Sequence, residues 1–471
     1  MQERERNRII AKEYEVIIDR TEFSAVGVGR SERGVHRVPN AFPGEKVVAR
    51  GAKKKQGVAY GTLQRVLETP YSGQRLCKHF RLCGGCISQH LSLEEQRKLK
   101  ELEVLQLYHD KEMEISGYMG IFGADQKYEY RNKVDFTFGN QMKGGPLHLG
   151  FHQRGMRRNV IDTSECLLIH PDLRKIRDVV VEFASEKELP FYDIYSHEGL
   201  LRFLLLRRTE FTGEIHIVLI VSSQGGVDAS ELERRFQQLE LVGTIKGFIV
   251  GKKDTIGNFV GYEDVLFLSG KNYVEEELCG LRFRIYPESF FQTNSAGAQI
   301  LFSKVLDLMD SGDVLWDLYC GAGTIGQIAS KKFRKVVGIE LVEEAIVAAR
   351  QSAIDNQIEN CEYFVGDVKD AIEAELPAPD LVVINPPRSG LHPKVTKILL
   401  NIAPPKMLYI SCNPKTQVRD MEALKEKYKI EKSFMVDLYP NTGHVETCIL
   451  LSKIDVDKHH IEVKIDMDEL I

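Results

Sequence analysis

The sequence predicts a multidomain α/β protein: an N-terminal β-barrel, a central α+β domain and a C-terminal doubly wound α/β domain. Three observations predict it. Short glycine-punctuated apolar runs fill residues 13–67, mixed strands and a helix follow from about 128 to 289, and from about 296 amphipathic helices alternate with buried apolar runs. The 471 residues, 43% hydrophobic and 28% charged, are enough for two or three separate cores.

The barrel rests on Tyr14–Ile18, Val26–Arg30, Lys46–Arg50 and Gly57–Leu63 as strands. Arg30, Arg33, Arg37 and Lys53–Lys55 read as lying in its loops, where oligonucleotide-binding barrels carry positive charge; a plain structural barrel is the alternative. The net charge of −5 argues weakly against a nucleic-acid partner, but it is unevenly spread. Residues 1–170 hold 28 Lys and Arg against 21 Asp and Glu, whereas the remainder holds 35 against 47. A phosphate backbone meets one face only, so the basic N-terminal third is the relevant quantity; a solvated surface is the competing explanation.

Next come cysteines and one helix. Of nine cysteines, Cys77, Cys83 and Cys86 cluster at Cys-x5-Cys-x2-Cys, with Cys166 far downstream. Four thiolates suffice for an iron–sulfur cluster or tetrahedral zinc, and the donor type alone does not separate the two. Ser92 N-caps an amphipathic helix that starts at Leu93 and is expected to reach about 120 and to pack on the C-terminal domain. Lys133–Phe138, Leu200–Leu206 and Glu214–Val221 read as central strands, with a helix near Asp172–Glu188. No apolar run is long enough to cross a bilayer and the first residues lack the apolar core of a signal peptide, which predicts a cytoplasmic protein without a membrane partner. The expected boundaries are 1–67, 68–289, 290–453 and an acidic tail over 454–471; no long dimerisation helix is evident, so a monomer is expected.

The C-terminal pattern carries the chemistry. Asp317-Leu-Tyr-Cys-Gly-Ala-Gly-Thr-Ile-Gly326 follows one strand and opens a helix, so its glycines permit a tight turn and close ligand approach. Glu340 ends the next strand, where a carboxylate can grip two ribose hydroxyls, and Asp367 ends a third, where it can receive an adenine amine. A Walker A loop would need Gly-Lys-Ser/Thr and a dinucleotide site Gly-x-Gly-x-x-Gly, so S-adenosylmethionine fits better than either; a packed turn is the bland alternative. Asn385-Pro-Pro-Arg-Ser-Gly390 and, sixteen residues on, Met407-Leu-Tyr-Ile-Ser-Cys-Asn-Pro-Lys-Thr416 put Cys412 just past a parallel strand, in a polar loop that can hydrogen-bond a thiolate.

These two motifs, with Val436-Asp-Leu-Tyr-Pro-Asn-Thr-Gly-His-Val-Glu446, resemble the RNA 5-methyluridine (uracil-C5) methyltransferase family, and the four cysteines resemble its iron–sulfur branch. The resemblance covers nearly the whole chain and makes the barrel similar to a TRAM domain, the C-terminal domain a Rossmann-like methyltransferase domain. Tyr439, where the family usually has Phe, and Asn441 depart from it, and Asn385 stands where many members carry Asp. The resemblance implies methyl transfer to C5 of a uridine, with Cys412 adding at C6 and Glu446 removing the C5 proton. It implies cofactor contacts at Gln292, Tyr319, Gly321, Thr324, Glu340, Asp367 and Asn385, and a [4Fe–4S] cluster on Cys77, Cys83, Cys86 and Cys166, with zinc as the alternative. Arg388 is then expected at a phosphate or carboxylate. Phe290 either stacks on an extruded uracil or sits in the core, and His444 either orients a neighbour or is structural. The implied substrate is 23S ribosomal RNA, with transfer RNA as the alternative. Two rivals remain: a base-amine methyltransferase with Asn-Pro-Pro-Tyr/Phe, disfavoured by Arg388, and a non-catalytic RNA-binding ribosome-assembly factor.

Overall fold

The structure is a computed structural model that describes residues 13–454, apart from 33, 56, 57, 143, 258 and 373–375. The acidic tail lies outside the described residues from 455 onward. Strands β1 (Glu13–Glu22), β2 (Val26–Ser31), β3 (Gly34–Pro39), β4 (Lys46–Lys55) and β5 (Val58–Glu68) close into a barrel in the order β1-β2-β3-β5-β4. Arg37 and Lys53–Lys55 are therefore on strands, not in loops. Strand β3 escapes a hydrophobicity reading because its inward positions are His36 and Val38, so a buried histidine breaks the apolar alternation. Arg37 pairs with Glu22 at 2.8 Å on the barrel wall.

Val16, Ile18, Val38, Ala41, Val47 and Ala49 form the barrel's small core. So small a core gains from docking, and the β1–β2 turn supplies it: Phe23 leaves the barrel and joins the core of the C-terminal domain. The Lys415 ammonium lies 5.7 Å from the Phe23 ring centre, and the Ala25 amide donates to Glu103 at 3.1 Å.

Helix α1 (Leu93–His109) begins with a capping box: Ser92 accepts from the Glu95 amide and Glu95 from the Ser92 amide, at 3.1 and 2.7 Å. It stops at His109, short of the expected 120, and after the left-handed Gly117 the chain extends as β6 (Tyr118–Phe122). Its buried face is not an apolar stripe, since Gln96, Lys100 and Glu103 are buried beside Val104 and Tyr108.

The central sheet contains β7 (Lys133–Gly139), β8 (His148–Gln153) and β9 (Met156–Asp162), then, after α2 (Pro171–Glu186), β10 (Leu201–Arg208) and β11 (Glu214–Val221). Beyond α3 (Ala229–Gln237) come β12 (Thr244–Lys252) and β13 (Asp264–Gly270). Their order is β13-β12-β11-β10-β7-β8-β9, and apolar side chains of α2 and α3 share its core. A hairpin, β14 (Val274–Leu278) and β15 (Leu281–Ile285), then packs into the C-terminal core.

The C-terminal unit runs α4 (Ser295–Asp307), β16 (Gly312–Leu318), α5 (Thr324–Ala329), β17 (Phe333–Glu340), α6 (Glu343–Asp355), β18 (Cys361–Val365) and α7 (Val368–Ala371). It continues with β19 (Leu381–Ile384), α8 (Pro393–Ile402), β20 (Lys406–Ser411), α9 (Pro414–Leu424), β21 (Tyr428–Val436) and β22 (Glu446–Lys453). The sheet order is β18-β17-β16-β19-β20-β22-β21-β6, with apolar cores on both faces. Strands β16 to β20 are parallel, whereas β22 is antiparallel to both neighbours, and β6 joins from far upstream beside β21. Because β22 is reversed, its first residue lies at the edge where the parallel strands end.

Candidate active site

Strand order reverses between β16 and β19, so the crevice beyond their carboxyl ends is where this architecture takes a ligand. The loop after β16 is backbone-lined. Tyr319, Gly321 and Gly323 all have positive φ, at 61°, 54° and 69°. The Gly321 amide donates to one oxygen of Glu340 at 3.1 Å, and the Val342 amide to the other at 3.0 Å, which fixes the carboxylate at the end of β17. A Cβ on Gly321 would meet nothing within 4 Å, leaving room above the backbone. Thr324 opens α5, and Asp367 N-caps α7 while pairing with Lys369 at 2.7 Å, which holds its carboxyl below the usual range. Asn385 follows β19 and its amide reaches the Leu318 carbonyl at 3.4 Å.

Sequence reading left out three parts of this crevice. Exposed Leu341, Val342 and Phe364 put apolar surface beside Glu340 and Asp367, suited to a flat heterocycle. Asp317 is buried, accepts the Gly326 amide at 2.8 Å through one oxygen, and has its other oxygen unpartnered; burial pushes its carboxyl up to about 7. The Tyr363 ring lies under Gly323, where a Cβ would come 2.6 Å from its hydroxyl. Gly323→Ala therefore combines a collision with a backbone that β-carbons disfavour. We expect it to cost about 1–3 kcal/mol, read in calorimetry as a lower unfolding temperature.

The second cluster sits across the β20–β22 pairing. Ser411 pairs with Thr447, so the next residues outward, Cys412 and Glu446, stand opposite one another. Glu446 is only 5% exposed, and burial pushes its carboxyl up to about 7, partly offset by Arg388. Burial and the Glu446 charge raise the Cys412 thiol, while the Arg388 guanidinium pulls it back. Thiol and carboxyl thus compete for one negative charge beside one cation, an arrangement able to attack an electrophilic carbon and to move a proton near neutral pH. Arg388 thus faces a thiol and a carboxyl. The Cys412 loop does not depend on sulfur for its shape: the Asn413 amide donates to Ser411 Oγ at 3.1 Å and Asn413 Nδ2 to the Arg388 carbonyl at 2.9 Å.

Tyr439 links the clusters. Its hydroxyl donates to Gln292 Oε1 at 3.0 Å, and burial with the nearby Glu446 charge lifts that hydroxyl to about 12, so it stays a donor. Beneath it, the Lys100 ammonium donates to Asp437 at 2.6 Å and to the Tyr439 carbonyl at 3.1 Å. Removing one partner of such a buried ion pair strands the other at about 3–5 kcal/mol, which marks the pair as a fixed strut. A lysine inside a highly charged helix gives no sequence signal for this role. Phe290 is 77% exposed, which excludes the core reading. His444 lies at the solvent edge, and desolvation with Arg388, Lys100 and Arg131 nearby pushes it below its ordinary value.

The four predicted ligand cysteines are free, half-buried thiols gathered where the 77–86 segment meets the β8–β9 end of the central sheet. Cys83 feels Cys77, and Cys86 feels Cys166, Cys77 and Cys83; burial first, then these neighbours, lift Cys86 to about 12 and Cys166 to about 11. Arg131 and Arg154 face this group, while Arg158 turns to Asp193 at 3.3 Å. Among the described residues no group of three or more His, Cys, Asp or Glu side chains is arranged to hold a metal ion. Nor is any helix among them long and apolar enough to cross a membrane.

Comparison with known proteins places this geometry. Residues 264–454 match the family model for tRNA (uracil-5-)-methyltransferase. An uncharacterized RNA methyltransferase of Clostridium acetobutylicum is 40% identical over 93% of this chain and 97% of its own length. One from Caldanaerobacter subterraneus is 37% identical over 93% and 98%. The crystal structure of Pyrococcus abyssi tRNA (uracil-54, C5)-methyltransferase in complex with S-adenosyl-L-homocysteine superposes with a TM-score of 0.74 at 25% identity, covering 93% of this chain and all of that one. Full-length relatives and a shared catalytic unit lead to one conclusion: the chain belongs to the RNA uracil-C5 methyltransferase family.

Proposed function

We propose that this enzyme transfers a methyl group from S-adenosylmethionine to C5 of a uridine in RNA, with Cys412 as nucleophile and Glu446 as base. The observation that carries the reading is the β20–β22 register, which sets this thiol and a desolvated carboxyl opposite each other. The crevice suits the cofactor: Gly321 leaves open space over its backbone, Asp317 has a free buried oxygen, and Glu340 is braced by two amides. Gln292, Tyr319, Gly321, Thr324, Glu340, Asp367 and Asn385 would hold it. When bound, S-adenosylmethionine supplies the methyl group that ends on C5.

The chain's own groups do the rest. C5 of uracil is a poor nucleophile until Cys412 bonds to C6 and leaves an enolate. That bond also removes the thiolate charge beside Glu446, so the carboxylate forms more readily when needed. Glu446 then takes the C5 proton, the C5–C6 double bond re-forms and the sulfur departs as thiolate. Phe290, exposed beside Gln292, is placed to stack on an extruded base. Both acting groups must be deprotonated and both have raised pKa values, so kcat/KM should climb in two stages, one through the Glu446 value of about 7 and a second at alkaline pH as the raised Cys412 thiol ionises, with Glu446→Gln losing the step near 7. A pH–rate series on both proteins checks this.

Cys77, Cys83, Cys86 and Cys166 are the residues that would hold a [4Fe–4S] cluster, or a zinc ion, as a structural tether. Cys83, Cys86 and Cys166 lie within electrostatic reach of one another and of Cys77, which supports that donor set, and the Gly85 amide donates to Cys83 Sγ at 3.3 Å. Iron, sulfide and zinc assays on anaerobically purified protein distinguish the cases. We favour 23S ribosomal RNA as substrate, on the four cysteines and the basic N-terminal third; transfer RNA is the second reading, favoured by the matched family and the Pyrococcus neighbour. Labelled S-adenosylmethionine with separate unmodified ribosomal and transfer RNA pools, followed by nucleoside mapping, should give 5-methyluridine at a ribosomal site. Label confined to transfer RNA overturns the target, and no label in either overturns the enzymatic reading.

A further inference from the structure

Asn441 is fully buried and left-handed, with φ of 66°, in the segment that joins β21 to Glu446. Glycine would supply that backbone geometry without strain. Asparagine supplies two anchors as well, and all four of its polar groups are engaged outside its own loop. Its amide donates to Gln96 Oε1 at 2.6 Å, its Oδ1 accepts from Gln96 Nε2 at 3.2 Å, its Nδ2 donates to the Lys127 carbonyl at 2.8 Å, and its carbonyl accepts the Ile87 amide at 2.7 Å. The preceding carbonyls are held in the same way: Pro440 accepts from the Tyr130 hydroxyl at 2.8 Å and Tyr439 from Lys100.

These partners are themselves tied to the cysteine segment. Ile87 directly follows Cys86, Gln96 Nε2 also reaches the Ser88 and Leu91 carbonyls, and the Lys127 ammonium donates to the Gln89 and Leu91 carbonyls at 2.9 and 2.7 Å. The Cys86–Leu91 stretch and the loop bearing Tyr439 and Glu446 are thus joined by the hydrogen bonds of Asn441.

We propose that Asn441 is a positioning residue that couples the arrangement of the Cys77–Cys86 segment to that of Tyr439 and Glu446, so that a change at Cys86 is felt at the reacting groups. The coupling rests on reading Glu446 as the base for its effect on rate, but not for its effect on structure. Hydrogen exchange of the 437–446 peptide in the full-length protein separates the two, measured for wild type, Asn441→Gly, Cys86→Ser and the double variant, alongside kcat and KM. Asn441→Gly keeps the left-handed backbone and removes only the side-chain anchors. Exchange in 437–446 should quicken about tenfold or more, with kcat lower, the KM for S-adenosylmethionine raised because Tyr439 braces Gln292, and peptides of β16 and β17 unaffected. Cys86→Ser should loosen the same peptide, yet add little in the Asn441→Gly background, because both break one path. Native exchange in Cys86→Ser, or two effects that multiply independently, overturns the coupling. If Cys86→Ser does not fold, Gln96→Leu takes its place in the cycle with the same two readings. The exchange pattern without methylation of any RNA would uphold the coupling and reject the proposed reaction.

Discussion

Cys412→Ala should abolish methyl transfer, lowering kcat by about 10⁴-fold or more while leaving RNA affinity near its native value. The size follows from chemistry: without a bond to C6 there is no enolate, and no other described side chain in the crevice replaces a thiol opposite Glu446. The selectivity follows from structure. The loop is shaped by Ser411, Asn413 and the Arg388 carbonyl, so deleting one sulfur leaves those contacts in place. Single-turnover assays with labelled cofactor, paired with filter binding of the RNA, measure both quantities. Retained turnover would remove Cys412 from the mechanism, whereas lost binding would make it a structural residue.

Glu446→Gln should do something different: turnover falls by about 10²–10⁴-fold while a covalent protein–RNA species accumulates. The amide keeps the shape of the side chain but takes no proton at neutral pH. It also removes the negative charge that raises the Cys412 thiol, so attack on C6 becomes easier as release becomes blocked. A denaturing gel with labelled RNA should show a slow-migrating band that needs S-adenosylmethionine and disappears in the Cys412→Ala, Glu446→Gln double variant. No such band would move the base to another residue. Arg388 sets the scale of both effects, since its guanidinium is the cation facing thiol and carboxyl alike.

Much of the crevice was legible because its chemistry is local in sequence. Strand, glycine loop and helix are contiguous from Asp317 to Gly326, and the carboxylates at Glu340 and Asp367 end recognisable apolar runs. The pairing of Cys412 with Glu446 was reached through resemblance; its physical cause, the reversed β22, lies in strand order and is invisible to periodicity. What failed was where polar residues are buried. His36 hid β3, while Gln96, Lys100 and Glu103 turned the inward face of α1 into a polar one. Such positions are stable only because distant partners satisfy them, and Asp437 and Asn441 lie more than three hundred residues away.

The placement of β6 has a consequence for how this polypeptide can be divided. Ser433, Met435 and Val436 pair with Tyr118, Ile121 and Phe122, so the outermost strand of the C-terminal sheet is contributed before the entire central sheet has been written into the chain. In modular terms the central unit is an insert with the methyltransferase unit on both sides of it. A fragment cut to residues 264–454, the stretch the family model recognises, would bare the peptide groups along β21, an open template for pairing with other copies. The smallest unit that holds all eight strands of its sheet must carry 118–122 as well, and a ribosome cannot complete that sheet until nearly the last strand has emerged.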